Sequence, residues 1–148
     1  MVFAGMPGLH RLIYVSRHAL MAGDADAALG EIVHQSVHHN RNAAVTGFLM
    51  SHDGWFIQVL EGPGDKVRQT FDVIRQDPRH RDVTEVSYEK VTDRLFADWD
   101  MCAHRLSDGD DVILTYVGPG FDPRAYSTDQ ILSLLNNVAD QQRAALAA

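Results

Sequence analysis

The stretch that decides the fold is Trp55-Phe56-Ile57-Gln58-Val59-Leu60-Glu61-Gly62, an apolar run with one amide side chain in its middle. Aromatic and β-branched residues are typical of strands, so we expect a strand from Trp55 to Leu60. Alternation along that strand puts Phe56, Gln58 and Leu60 on one face. A buried amide costs free energy unless it is hydrogen-bonded. Gln58 therefore needs a partner, which is another side chain, backbone, water or a bound ligand.

Two further strands are predicted upstream of this run. Val45 to Met50 has the composition of a strand, and the Asp-Gly pair that follows it within Ser51 to Gly54 is a hairpin signal. Arg11 to Ser16 alternates in polarity, which predicts a first strand with Leu12, Tyr14 and Ser16 on one face. Taken alone, a tyrosine such as Tyr14 is more often a core residue whose hydroxyl reaches water or backbone.

Two helices are predicted around the hairpin. Asp24 suits the N-cap of a helix that runs to about His38 with apolar residues at helical spacing. Glu61-Gly62 suits a strand end, and the following Pro-Gly-Asp opens a second helix over about Lys66 to Gln76. Its buried stripe is predicted to be Val67, Phe71 and Ile74. Asp77-Pro78 ends it, because a residue before proline avoids the helical conformation.

Two more strands complete the predicted sheet. The fourth is expected over Thr84 to Val91, and the fifth after Trp99, through Met101, Cys102 and Ala103. The resulting order is β-α-β-β-α-β-β. This order predicts an α+β protein with a ferredoxin-like sheet and two helices on one face.

The composition changes after Arg105, so we expect a domain over residues 10–105 and a C-terminal helical appendage over 106–148. A short helix is predicted over Val112 to Tyr116. Ser127-Thr128-Asp129-Gln130 fits a capping box that opens a helix to about Leu146. The apolar side of this helix needs a cover, either the second face of the sheet or another subunit, and we favour a homo-oligomer. That side carries Ile131, Leu134, Leu135, Val138 and Leu146.

Charge and cysteine content narrow the function classes. A net charge of −7 without any run of Lys or Arg disfavours nucleic acid and anionic membranes as partners. Cys102 is the single cysteine, which excludes an intramolecular disulfide and a cysteine-based zinc site. The chain has neither a signal-peptide pattern nor an apolar run of transmembrane length, so we expect a cytoplasmic protein.

No pattern indicates a catalytic or metal site, and we expect neither an enzyme nor a metalloprotein. His34 and His38 are four residues apart on a predicted helix, as in some metal sites, but no third ligand is evident. A solvated polar face explains them better. Cys102 lacks a nucleophile motif. Asn40 alone is best explained as a helix C-terminal residue. The end of the second helix is best explained as a capped terminus with surface charges at Asp77, Arg79 and His80.

Individually weak signals nevertheless form an ordered set. Five motifs occur in order along the chain: Leu12–Ser16, Ser36–Asn40 with Val45–Leu49, Phe56–Gly62, Asp77–His80 and Arg94–Met101. Together they resemble the BLUF domain, the family of blue-light sensors that use FAD. The resemblance covers roughly residues 10–105. It implies a ferredoxin-like sheet with the flavin between two helices, and the tail is similar to that of short stand-alone members.

The resemblance implies a photoactive switch. Tyr14 and Gln58 would be the photoactive pair, and Trp99 and Met101 would mark the signalling strand. Light would drive electron and proton transfer from Tyr14 to the flavin and leave Gln58 differently hydrogen-bonded. The change would then pass through the fifth strand and the helical tail to a downstream signalling protein. An amide suits this role because its donor and acceptor ends can exchange places without a large motion.

The resemblance also implies a set of flavin contacts. Asn40 would hydrogen-bond the carbonyl and imide edge of the ring, and Ile32 and Ile74 would enclose the ring from the two helices. Some short family members carry a basic or polar residue at the position of Val73 in this chain. A contact from this position to the pyrimidine side of the ring would then be missing here. The implied FAD-binding residues are Tyr14, Ile32, His39, Asn40, Gln58, Ile74, Asp77 and His80.

Two other function classes share the predicted sheet. A small hydrolase of the acylphosphatase type would need an anion-binding loop with an arginine, and none is evident. A non-photoactive ligand-binding or assembly module is the stronger alternative. Colour separates the classes, because a photoreceptor is yellow and its flavin spectrum changes under blue light. The fold alone does not decide among them.

Overall fold

The computed structural model describes residues 8–18, 44–78, 80–96, 102–105 and 120–147. The predicted helices over 24–38 and 112–116 lie outside the described residues. The elements are β1 Leu9–His18, β2 Thr46–His52, β3 Trp55–Pro63, α1 Gly64–Gln76, β4 His80–Lys90, β5 Cys102–Arg105, a 3₁₀ helix Pro123–Ala125, and α2 Thr128–Ala147.

The five strands form one sheet in the order β4-β1-β3-β2-β5. β1 pairs antiparallel with β3 and β4, and β2 pairs antiparallel with β3. β5 joins the edge in parallel with β2, with Phe48 opposite Cys102. This arrangement confirms the predicted α+β, ferredoxin-like class and places β3 at the centre of the sheet.

The β2–β3 hairpin confirms the turn that the Asp-Gly pair predicts. Asp53 and Gly54 both have positive φ, at 50° and 81°. Positive φ at both central residues matches the twist of the flanking strands, and glycine adopts it without a steric penalty. The turn brings His52 opposite Trp55 and sets the register for the whole hairpin.

One face of the sheet packs against α1. Val67 and Phe71 of α1 are buried there, as predicted, whereas Ile74 is only partly buried. The sheet contributes alternate residues of its strands, which confirms the predicted faces of β1 and β3. The buried residues of this cluster are Leu12, Tyr14, Val45, Leu49, Phe56, Leu60, Val67 and Phe71.

The opposite face of the sheet packs against α2. Ile13, Val15, Ile57 and Val59 contact a core that includes the apolar stripe of this helix. Of the two covers considered for the stripe, the second face of the sheet is the observed one. The stripe is therefore no evidence for a second subunit. Its buried residues are Ile131, Leu134, Leu135 and Val138.

The N-terminus of α2 is closed by the predicted capping box. The Gln130 backbone N–H donates to Ser127 Oγ at 3.1 Å, and the Ser127 backbone N–H donates to Gln130 Oε1 at 2.8 Å. These reciprocal bonds satisfy two donors that a helix start otherwise leaves open. Of the helices within the described ranges, neither is long and apolar enough to cross a membrane.

β4 begins earlier than its sequence pattern indicates. The strand starts at His80 instead of Thr84. Its first residues are polar and mostly exposed because β4 is an edge strand, and Asp82 interrupts it with a positive φ of 50°. The alternation that marks a half-buried strand is therefore missing where this one begins.

Candidate functional site

The pairing of β1 with β3 brings two polar side chains together inside the core. Tyr14 lies directly opposite Gln58 in the register. Both side chains point to the face that α1 covers, where Tyr14 is 1% exposed and Gln58 is 2% exposed. Residues opposite each other in an antiparallel pair have neighbouring side chains. The strand register itself therefore creates a phenol–amide pair.

A hydrogen bond joins this pair. The Tyr14 hydroxyl donates to Gln58 Oε1. This bond answers the question that the buried amide raises, because another side chain satisfies its oxygen. Since the oxygen faces the phenol, the amide presents its nitrogen, which is the donor end, away from Tyr14.

The environment of Tyr14 keeps its phenol protonated. Burial raises the pKa of Tyr14 well above its ordinary value, and the negative charge of Asp77 raises this pKa further. The ring lies 5.3 Å from that of Phe71 and 6.0 Å from that of His80, between ring centroids. Tyr14 is therefore a neutral hydrogen-bond donor held in a mainly apolar contact shell.

His80 is buried, so the surface position suggested by its local sequence is wrong. Its side chain is 7% exposed, and its Nδ1 shares a 2.9 Å hydrogen bond with Ser16 Oγ. The ring also lies 5.0 Å from Phe56. His80 opens β4, next to β1, and this pairing carries the imidazole into the core beside Tyr14.

The other predicted site residues fall into two groups. Asp77 ends α1 as predicted, with its backbone N–H bonded to the Ile74 carbonyl, and is half-buried. Ile74 packs against the cluster that holds Tyr14. Val73 is 62% exposed, so its side chain points away from that cluster. Five predicted site residues lie outside the described part of the chain: Ile32, His39, Asn40, Trp99 and Met101.

Ser16 is a further residue of the site, although its sequence context does not mark it as one. It is fully buried and two residues from Tyr14 on the same face of β1. The signal available was a hydroxyl at an inward position of an apolar strand, which needs a partner. That partner is His80, 64 residues away in the chain.

The polar groups on this face fit the edge of a flavin ring. The ring edge alternates carbonyl acceptors with an imide N–H donor. Because the Tyr14 hydroxyl donates to Gln58 Oε1, the amide nitrogen of Gln58 is the donor that this pair can present to a ring carbonyl, and His80 supplies an imidazole close by. The surrounding side chains Phe56, Leu60 and Phe71 are apolar, as the site of a flat aromatic cofactor requires.

The described residues contain no metal site. No group of three or more His, Cys, Asp or Glu side chains in these ranges is arranged to hold a metal ion. His34 and His38 lie outside the described ranges.

The family profile described as "BLUF: Sensors of blue-light using FAD" matches residues 9–102. The chain belongs to the BLUF family. The match includes both strands that carry the Tyr14–Gln58 pair and helix α1 beside it. FAD is the cofactor of this family, in agreement with the expectation from the sequence.

Curated relatives named for a response to light match more than half of the chain. The photoactivated adenylate cyclase subunit beta of Euglena gracilis is 36% identical over 92 residues, which is 62% of this chain and 10% of that protein. The blue light- and temperature-regulated antirepressor BluF of Escherichia coli (strain K12) is 34% identical over 85 residues, or 56% and 21% of the two chains. This chain therefore matches only a small part of each relative.

Solved structures of BLUF proteins share the fold. The dark-state structure of BlrB, a BLUF protein, superposes with a TM-score of 0.75 at 27% identity, covering 93% of this chain and 98% of that one. A bacterial light-regulated adenylyl cyclase superposes with a TM-score of 0.67 at 25% identity, covering 94% of this chain and 36% of the cyclase. The fold of this chain thus recurs both in a short BLUF protein and as part of a larger light-regulated enzyme.

Proposed function

We propose that this chain is a blue-light photoreceptor that binds FAD non-covalently and uses the Tyr14–Gln58 hydrogen bond as its switch. The single observation that carries the proposal is the buried phenol–amide pair across β1 and β3. Membership of the BLUF family supports the choice of FAD and of blue light as the signal. The flavin, when bound, supplies absorption of blue light and an acceptor for an electron.

Tyr14 acts as the electron and proton donor. A phenol that loses an electron becomes a much stronger acid, so its proton leaves with the electron. A tyrosine is protonated near neutral pH, and burial raises the pKa of Tyr14 further, so the proton does not leave alone. The hydrogen bond to Gln58 Oε1 gives the proton a defined direction of departure.

Gln58 acts as the bistable element. Its oxygen accepts from Tyr14 in the present arrangement. Rotation of the amide would turn its nitrogen towards Tyr14, and tautomerisation would change the oxygen from an acceptor into a hydroxyl donor. The exchange rewrites the hydrogen bonds of the pair without moving the backbone far. A local trigger that selects between two arrangements is sufficient for a light-dependent signal.

The remaining contacts to FAD are assigned by analogy with the family. Asn40 is the proposed partner of the carbonyl and imide edge, and Ile32 and Ile74 are the proposed apolar cover of the ring. The partial burial of Ile74 beside the Tyr14 cluster supports its assignment. The further polar contacts are His39, Asp77 and His80.

The proposed output is contact with a downstream signalling protein, without catalysis by this chain. Trp99 and Met101 precede β5, so we expect a change at Gln58 to reach β5 and the C-terminal helix. The adenylate cyclase relatives support coupling of BLUF domains to effectors. A homo-oligomer and a cytoplasmic location remain predictions from the sequence.

The experiment that tests the proposal is the photocycle of the purified protein reconstituted with FAD. We expect a yellow protein whose flavin absorption shifts slightly to the red under blue light and returns in the dark. A protein that stays colourless after addition of FAD would instead support the ligand-binding or assembly module. A yellow protein without a reversible shift would contradict the switch while leaving flavin binding in place.

A further inference from the structure

The buried ion pair between Arg11 and Glu61 has no part in the proposed photochemistry. Glu61 has no exposed surface, although it lies near the end of β3. It is three residues from Gln58, and alternation along the strand therefore puts the two side chains on opposite faces of the sheet. A buried carboxylate is costly unless it is paired and hydrogen-bonded, so its partners indicate what it holds.

Those partners belong to β1 and to the connection between β4 and β5. Glu61 Oε2 accepts from Arg11 Nε at 2.8 Å and from the Leu95 backbone N–H at 2.9 Å. Glu61 Oε1 accepts from the Phe96 backbone N–H at 2.7 Å. Arg11 also donates to the Asp93 carbonyl at 3.2 Å. One carboxylate thus holds two consecutive backbone amides of a loop against the central strand.

Arg94 fixes the same loop to β2 and β3. Its Nη1 donates to the Glu61 carbonyl at 3.0 Å and to Thr46 Oγ1 at 2.9 Å. Its Nη2 donates to the Ala44 carbonyl at 2.8 Å. Charge-assisted bonds of this kind are stronger than neutral ones, so residues 93–96 are held by several strong bonds.

This held loop contacts β2, the strand that pairs with β5. Phe96 is fully buried, and its ring lies 6.0 Å from that of Phe48 in a stacked arrangement. Phe48 is in turn opposite Cys102 in the parallel pairing of β2 with β5. A contact path therefore runs from Glu61 through Phe96 and Phe48 to the first residue of β5.

We propose that Glu61 is a positioning residue for the light response: its carboxylate fixes residues 93–96 on β3, so that a rearrangement at Gln58 moves β5 instead of this loop. The proposal rests on the proposed function. β3 carries both the switch residue and the anchor. With residues 93–96 tied to β3, the loop cannot move independently of the strand. Even a small shift of β3 then reaches β5 through the Phe96–Phe48 ring contact and the pairing of β2 with β5.

The test is amide hydrogen exchange in darkness and under blue light, measured on the FAD-loaded full chain. The variants are Glu61→Gln, which removes the charge at nearly constant volume, and Arg94→Lys, which removes the forked bonds but leaves Glu61 paired. Glu89→Gln is the matched control, because Glu89 also faces Arg11, at 3.9 Å, but is exposed. The flavin red shift of each sample is recorded alongside.

We expect Glu61→Gln to keep the red shift, because Tyr14 and Gln58 lie on the other face. Exchange of the Leu95 and Phe96 amides in the dark should rise at least about tenfold, since they lose an ionised acceptor. The light-minus-dark change in Cys102–Arg105 should fall to about half or less of the wild-type change. Arg94→Lys should act in the same direction, and Glu89→Gln should match the wild type.

If Glu61→Gln lowered only the general stability, amide exchange in the dark would rise, but the light-dependent change in β5 would stay as in the wild type. This combination would overturn the positioning role. Unchanged protection of the Leu95 and Phe96 amides in Glu61→Gln would also overturn it, as would a wild-type protein whose β5 does not respond to light. If Glu61→Gln does not fold, Arg94→Lys decides by the same criteria. Loss of the red shift in the wild type would contradict the proposed function itself.

Discussion

Replacement of Leu135 by alanine tests whether α2 is part of the core. Leu135 is fully buried between the helix and the sheet, in one cluster with Ile13 and Ile57. A Leu→Ala change at such a site leaves a cavity and typically costs about 2–5 kcal/mol of unfolding free energy. Since domains are stable by only about 5–15 kcal/mol, a large share of the total is at stake. For a chain of this length the melting temperature should fall by roughly 5–15 °C.

Urea denaturation of Leu135→Ala and of the control Ser133→Ala measures the effect. Ser133 is on the same helix but exposed, and its replacement should change the free energy of unfolding by no more than about 0.5 kcal/mol. Equal and small effects of the two substitutions would refute the reasoning, because they would mean that the sheet is stable without this helix. A smaller m value, the slope of the unfolding free energy against urea concentration, in Leu135→Ala would indicate loss of two-state unfolding.

Three further outcomes follow from local contacts. The raised pKa of Tyr14 means that folding favours its protonated form, so the unfolding free energy should fall above about pH 10, by up to about 1.4 kcal/mol per pH unit more than in Tyr14→Phe. If urea titrations at alkaline pH gave the wild type and Tyr14→Phe the same pH dependence of the unfolding free energy, this prediction would be contradicted. Ser127→Ala breaks the capping box and should lower the unfolding free energy by about 1 kcal/mol, measured by thermal melting. No loss of stability would mean that the capping box does not hold the start of the helix. Ser16→Ala removes the buried hydrogen bond between Ser16 Oγ and His80 Nδ1 and should cost about 1 kcal/mol of unfolding free energy; a neutral effect in urea denaturation would contradict a stabilising role for this bond.

The strand pattern predicts which face Gln58 occupies but not what it meets there. Alternation assigns Tyr14 and Gln58 to inward positions on their own strands. It does not set the register between β1 and β3, which decides that the two residues are directly opposite. The family resemblance implies that pairing, and the structure shows the hydrogen bond itself.

The missed features depend on contacts that are distant in the chain. The local sequence of Glu61 indicates only a strand end, because its partners Arg11, Leu95 and Phe96 are 50, 34 and 35 residues away. His80 follows a helix end and precedes polar residues, so its neighbours in sequence give no sign of burial. Only the sheet order, which puts β4 beside β1, brings it to Ser16.

The most direct test of the Tyr14–Gln58 switch is the light-minus-dark absorption difference of FAD-loaded Tyr14→Phe and Gln58→Leu. Tyr88→Phe and Gln69→Leu are the controls, because Tyr88 lies on β4 outside the pair and Gln69 is exposed on α1. We predict that flavin still binds in all four variants, that the reversible red shift disappears in the first two, and that it persists in both controls. A reversible red shift that survives in either Tyr14→Phe or Gln58→Leu would contradict the account.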